Sequence, residues 1–308
     1  IDSRFTGFDR ANEGARLHRK LQRAAVKEFT DYKAEVALTQ KYGCCDVEYT
    51  LEGRADGIFT DTDGTVTVDE IKTTMLPAAQ ITGDQSPEHW AQAKIYAAIY
   101  ARQQQLSNMR VRLTYYQVEE EKIYHFAKDF LTEELNAFVL DLLAQYAPWA
   151  KRAAQWRQDR RESLQALRFP FTEYRTGQRA MISAVYETCR EGGQLLCQAP
   201  TGIGKTMSVL FPALKAMEDG GPVFYLTARG TTRAAAEGAL SILREHTPSL
   251  KLRSVTLTAK DKICLQDTRE CTPEACPYAN GYYDRIKTAL WNALDIPALT
   301  ADTLQALA

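Results

Sequence analysis

Residues 46–60 and 65–72 alternate polar and apolar side chains in the manner of two strands, and Asp61-Thr62-Asp63-Gly64 between them is a turn signal. The register of such a hairpin decides which side chains meet. A two-residue loop, Asp63-Gly64, would set Asp56 opposite Ile71 and put Asp56 and Glu70 on different faces. A three-residue loop, Thr62-Asp63-Gly64, sets Asp56 opposite Glu70, with Gly64 in the left-handed position that such loops require. The three-residue loop is expected. Opposed Cβ atoms lie about 5 Å apart, a workable span for one shared cation.

Glu70 and Lys72 then share a face because strand side chains alternate, whereas Asp69 points to the other. Two carboxylates and an ammonium group in this arrangement suit a hard divalent cation, Mg²⁺ or Mn²⁺. Asp56 and Glu70 would be its ligands, with the metal activating water and stabilising phosphate charge. Lys72 would position that water or the developing negative charge. An isolated acid, acid-x-lysine pattern is more commonly a solvated surface. Here it is joined by His18 on an expected helix over 10–30, and by Gln92 and Tyr96, four apart on a helix over 87–104.

His18, Gly53-Arg54-Ala55-Asp56-Gly57, Glu70-Ile71-Lys72 and Gln92-x3-Tyr96, in that order, resemble the RecB-like branch of the PD-(D/E)XK nucleases over roughly residues 10–127. The resemblance implies His18 and the Ile71 backbone carbonyl as further metal ligands. It also implies that Gln92 and Tyr96 orient substrate or the lysine. The remaining histidines, His89, His125 and His246, carry no supporting pattern.

A second chemistry follows. Ala199-Pro200-Thr201-Gly202-Ile203-Gly204-Lys205-Thr206 lies between an expected strand, Leu195-Leu196-Cys197, and an expected helix over 205–218. Strand, glycine-rich loop and helix are the context for phosphate binding by backbone N–H groups and a helix N-terminus. Gly202 and Gly204 shape the loop, Lys205 would reach the β/γ-phosphates of ATP, and Thr206 would ligate Mg²⁺. Ala199 stands at the usual first glycine, and this form resembles superfamily 2 helicases. Tyr174-Arg175-x2-Gln178 resembles their adenine-reading segment, with Gln178 on the base. Tyr225-Leu226-Thr227-Ala228-Arg229 resembles their contact to single-strand phosphates. Further strands are expected at 223–226 and 255–257, with a helix over 231–245 between them. No apolar strand after Lys205 ends in an Asp-Glu pair, and Glu218-Asp219 ends a helix. The chain is therefore expected to be a fragment of a longer protein, without productive ATP hydrolysis.

Cys264-x6-Cys271-x4-Cys276 fits no common zinc finger. Metal-free thiols and zinc remain open readings of the spacing alone. After a superfamily 2 phosphate loop the spacing resembles the iron–sulfur insert of XPD-like and DinG-like helicases, which implies a [4Fe–4S] cluster with a fourth thiol outside this chain. With one ligand missing the cluster is expected to be labile. Cys44, Cys45, Cys189 and Cys197 read as core or strand residues. Between the two regions Lys151, Arg152, Arg157, Arg160, Arg161 and Arg168 interleave with Trp149 and Trp156. That stripe can track a phosphate backbone, but a solvated helix with inward tryptophans is the favoured reading.

The fold expected is α/β: a PD-(D/E)XK nuclease domain (mixed sheet flanked by helices) over 1–127, a basic helical linker over 128–168, and a partial RecA-like phosphate-loop domain with an iron–sulfur insert over 169–308. A net charge of -1 gives no global nucleic-acid signal, so DNA contact must be local. Seven cysteines and no secretory signal point to a cytoplasmic, reducing setting. No apolar run is long enough for a bilayer, and Ile1 in place of Met suggests a trimmed start. The function expected is metal-dependent cutting of single-stranded or flapped DNA, fused to an ATP-dependent helicase in DNA repair or processing. The competing readings are a catalytically inactive DNA-gripping module and an ATP-switched regulator.

Overall fold

A computed structural model describes residues 8–217, 220–228 and 230–307. The chain divides into two compact units, Ile1–Lys151 and Arg152–Ala308, and the division falls inside the expected linker.

In the first unit the order is α1 (Phe8–Glu28), β1 (Lys33–Cys44), β2 (Val47–Thr60), β3 (Val66–Thr74), α2 (Pro87–Gln104), β4 (Asn108–Gln117), β5 (Lys122–Leu131) and the start of α3 (Thr132–Ala166). The strands form one sheet in the order β1-β2-β3-β4-β5. β3 and β4 pair in parallel across the α2 connection, and the other neighbours are antiparallel. This is the mixed α/β arrangement expected.

The β2–β3 register pairs Gly57 with Asp69 and Thr60 with Val66, and its continuation brings Asp56 opposite Glu70. The Asp61 amide donates to the Thr65 carbonyl at 2.9 Å, and Gly64 adopts φ +84°, as a three-residue loop requires. Arg110 pins the loop, reaching Asp61 and Asp63 at 2.9 Å each while holding Asp129 at 2.7 Å.

The two faces of the sheet bury different things. Val68, Ile58, Val111 and Leu113 pack with Ala93, Ala97 and Ile99 of α2 and with Leu135, Val139 and Leu143 of α3. On the other face, Leu17 and Leu21 of α1 meet Ile71 and Tyr116. There Asp69 is buried in a fork with Arg112 (3.0 and 2.8 Å) and takes a hydrogen bond from the Thr114 hydroxyl at 2.5 Å. A buried carboxylate needs such pairing to remain charged.

The second unit holds α4 (Gln178–Glu191), α5 (Lys205–Ala216), α6 (Gly230–His246), β6 (Ser254–Val255), α7 (Lys260–Ile263), α8 (Tyr282–Ala293), β7 (Ala298–Leu299) and α9 (Ala301–Leu307). Leu164 and Leu167, Met207, Leu210 and Leu214 of α5, and Ala236, Ala239 and Leu243 of α6 form its core. The expected helices at 205–218 and 231–245 are present. The expected strands at 195–197 and 223–226 are not: both segments lie outside any regular element, with Leu196 fully exposed and Phe224 and Leu226 largely so. The third is reduced to β6, paired in parallel with β7. A parallel strand exists only when neighbours satisfy its backbone and helices cover its faces. Among the described residues the first two segments have no such neighbour. No helix among the described residues is long and apolar enough to cross a membrane.

Gly57 lies beneath the buried Tyr32 ring, where an added Cβ would sit 2.0 Å from the tyrosine oxygen. Gly43 faces open space. Gly57→Ala is expected to destabilise the first unit by about 1–3 kcal/mol in urea unfolding, while Gly43→Ala leaves the midpoint near wild type. Equal midpoints for the two variants would contradict this packing.

Candidate active site

α1 brings His18 to the sheet. Its Nδ1 lies 3.6 Å from Asp56 Oδ1, and the other Asp56 oxygen accepts the Ile71 amide at 2.7 Å. Gln22, one turn beyond His18, donates to the Asp56 carbonyl at 2.9 Å and to Glu35 Oε1 at 2.8 Å, tying α1 to β2 beside the acid. Glu35 itself has φ +54°, a strained conformation for a non-glycine residue, beside that contact. Neither Gln22 nor Glu35 belongs to a motif recognisable in the sequence. The only available signal for Gln22 was its spacing of four from His18.

Glu70 is 1% exposed. Its Oε1 lies 2.6 Å from Lys72 Nζ, and its Oε2 is buried with no hydrogen-bond partner. Lys72 also donates to Gln92 Oε1 at 3.1 Å, and the Gln92 amide donates to the Tyr96 hydroxyl at 3.1 Å. The residues implied to orient the lysine do touch it in series. Tyr96 can lie on β2 because residue 53 is glycine: an added Cβ would come 2.4 Å from its ring.

Burial pushes the Glu70 carboxyl up to about 7, against the downward pull of Lys72 and with Asp56 adding to the rise. His89 shares the α2 face of Gln92 and Tyr96, at spacings of three and seven. Its Nδ1 is 2.8 Å from the Tyr115 hydroxyl, and burial together with the nearby Lys72 charge lowers it to about 4. In the sequence, that helical spacing is the one pattern His89 carries.

The donor chemistry, two carboxylates and an imidazole with one orphaned buried carboxylate oxygen, fits a hard divalent cation. Among the described residues, however, no three His, Cys, Asp or Glu side chains already converge on one point. Asp56 is turned to the Ile71 amide and Glu70 to Lys72, so the ammonium group holds the place of a cation at Glu70.

At the phosphate loop, Gly202 (φ +86°) and Gly204 (φ +82°) are left-handed, and α5 begins at Lys205. Lys205 folds back onto the Ala199 and Pro200 carbonyls at 2.9 and 2.8 Å. Thr206 follows it in the first turn of α5. Gln178 is 3% exposed, and its Oε1 accepts the Arg175 amide at 3.1 Å. Its Nε2 would lie 2.7 Å from a Cβ placed on Gly204. The Arg175 guanidinium donates to the Gly202 carbonyl. Arg175 and Gln178 thus hold the loop from outside. Arg229, Glu218 and Asp219 lie outside the described residues.

Cys264, Cys271 and Cys276 are free thiols, the first two half-buried and the third buried, and they form no metal-holding group. As arranged they do not fit an iron–sulfur cluster, because spacing along the chain does not by itself gather side chains. Cys189 and Cys197 are exposed rather than core. In the basic stretch, Lys151 reaches Asp46 at 3.5 Å, Arg152 reaches Asp295 at 2.5 Å, and Trp156 lies under the Arg253 guanidinium at 3.5 Å. These are structural contacts, in keeping with the favoured reading of that helix.

Residues 175–291 match the family model of the DEAD/DEAH box helicases. Over 79 residues the chain is 34% identical to the probable ATP-dependent helicase MJ0942 of Methanocaldococcus jannaschii, a match covering 26% of this chain and 12% of that protein. A solved structure described as the crystal structure of SSO0001 aligns over 43% of this chain and 59% of that one, at 21% identity and a TM-score of 0.32. The second unit thus contains a segment similar to the DEAD/DEAH box helicases.

Because the folded Glu70 holds its proton to higher pH than an unfolded glutamate, the native state binds the extra proton between about pH 4.5 and 7. Stability from this group is greatest below that window and is lost as pH rises through it. In EDTA, Glu70→Gln is expected to stabilise the protein at pH 8, by on the order of 2–3 kcal/mol, and to change little at pH 4.5. A variant equally or less stable at pH 8 would contradict the burial argument.

Proposed function

We propose that the first unit is a metal-dependent DNA nuclease of the RecB-like PD-(D/E)XK kind, joined to an XPD/DinG-like helicase segment that binds ATP, and that the whole acts on single-stranded or flapped DNA in repair or processing. One observation carries the nuclease reading: Glu70, Lys72, Gln92 and Tyr96 form a continuous contact series at the edge of Asp56, with one Glu70 oxygen left without a partner. A structural ion pair has no need of the glutamine, the tyrosine or the orphaned oxygen.

In this reading Asp56, Glu70, His18 and the Ile71 carbonyl would hold Mg²⁺ or Mn²⁺, which when bound acidifies a water and offsets charge on the scissile phosphate. The Ile71 amide fixes Asp56, and α1 holds His18 against it. Lys72 leaves Glu70 and turns its ammonium group to the attacking water or a non-bridging oxygen. Gln92 keeps Lys72 at that edge and Tyr96 keeps Gln92 in its rotamer. In the second unit, the left-handed glycines and the start of α5 form the seat for nucleotide phosphates, and Lys205 exchanges its carbonyl partners for them. The iron–sulfur part of the helicase reading rests on cysteine spacing alone, and no step is assigned to it.

The DNA-gripping module is the competing reading, favoured by the closed Glu70–Lys72 pair and the absence of a ready-made ligand group among the described residues. End-labelled single-stranded and flapped DNA, incubated with the full chain and Mn²⁺ or Mg²⁺, separates the two. Asp56→Ala and Lys72→Ala are each expected to cut at least about 100-fold more slowly than wild type. Equal cutting by all three proteins, or none by wild type in either metal, would defeat the nuclease reading.

A further inference from the structure

The face of α1 turned away from the sheet carries a charge pattern that the site chemistry does not use. Arg16, Arg19, Lys20, Arg23 and Lys27 follow one another at helical spacing and, with Ala24, line an open groove of about 690 Å³. All are exposed, and residues 16–27 contain no aspartate or glutamate. Lys20 has partners, Glu121 at 3.6 Å and the Tyr116 hydroxyl at 3.4 Å. Among the described residues no carboxylate forms an ion pair with Arg16, Arg19, Arg23 or Lys27. Arg16 and Lys20, Arg19 and Arg23, and Arg23 and Lys27 are like charges four apart, and each such pair opposes the helix. A merely soluble helix surface would mix signs, and the chain as a whole does so, with 38 basic and 39 acidic residues. Five cations concentrated on one helix face call for an anion along it.

We propose that this face of α1 binds the phosphate backbone of the DNA strand that enters the Asp56–Glu70 site. The inference rests on the nuclease reading for its choice of ligand. α1 itself carries His18 to Asp56, and Arg19 and Arg23 follow His18 and Gln22 by one residue, so the stripe begins on the flank of the site. From Arg16 to Lys27 the helix rises about 16 Å, a length over which a strand presents several phosphates. Side chains of this type, without acceptors or aromatics among them, neutralise phosphate charge and read no sequence. A lipid surface fits less well. Leu17 and Leu21 of α1 are buried against Ile71 and Tyr116, and Val26 is the one large apolar side chain of residues 16–27 left exposed, too little apolar surface to enter a bilayer.

The test is fluorescence anisotropy of a labelled single-stranded oligothymidine with the full chain, in EDTA so that binding is read without cutting, across a salt series. Replacing Arg16, Arg19, Arg23 and Lys27 together with Gln is expected to weaken binding at least 10-fold and to lower the slope of log K against log salt by about 3, at about 0.7 per lost phosphate contact. Replacing the three arginines with Lys is expected to retain the slope, which separates lost charge from lost folding. The readout involves no cutting, so failure of the cleavage chemistry leaves this outcome readable. An unchanged slope in the Gln variant would overturn the proposal. So would loss of binding to phosphatidylserine vesicles with DNA binding intact.

Discussion

The first unit is organised around one buried carboxylate. Glu70 sits on β3, near the middle of a five-stranded sheet, and a charged group there is costly unless it is paired. Lys72, two residues on and therefore on the same face, supplies the counter-charge at 2.6 Å. The pair constrains what surrounds it. Gln92 must accept from the lysine, so α2 must lie over β3. Tyr96 must reach Gln92, so β2 must have glycine at position 53. Asp56 comes to the same edge only because the β2–β3 loop has three residues and a left-handed Gly64. The other face of β3 repeats the solution in a closed form: Asp69 is saturated by Arg112 and Thr114, with no oxygen left over. The two acids of β3 thus differ: Asp69 is saturated, whereas Glu70 keeps one buried oxygen without a hydrogen-bond partner.

The second unit shows the same economy around its phosphate loop. Gly202 and Gly204 are left-handed, and Arg175 donates to the Gly202 carbonyl and, through its amide, to Gln178. Lys205 caps loop carbonyls where a phosphate would otherwise take its charge. Both Lys72 and Lys205 therefore rest on an internal contact, one to a carboxylate and one to carbonyls.

Much of the first unit was legible in the sequence because its signals are local. Alternation located β2 and β3, a glycine fixed their loop, and the spacing of four between Gln92 and Tyr96 put both on one helix face. The second unit was legible only where a signal was equally local. The helix after Gly204 formed where the loop pattern required it. The apolar segments at 195–197 and 223–226 did not become strands, since three or four apolar residues state a preference for burial but cannot provide pairing partners. Gln178 accepts a backbone amide, a contact to which a side chain suited to a base is equally suited. The three cysteines carry spacing but no convergence. Gln22, His89 and the cations of α1 had readable helical spacing. Spacing alone does not say what each side chain contacts or leaves open.

If Lys72 stands in for a cation at Glu70, removing its charge must favour a real one. Mn²⁺ titration of the full chain, followed by electron paramagnetic resonance of the free ion, measures this directly. The account predicts one site per chain in wild type, its loss in Glu70→Gln, and tighter binding in Lys72→Met, even though that variant loses cleavage. Equal Mn²⁺ affinity in wild type, Glu70→Gln and Lys72→Met would contradict it.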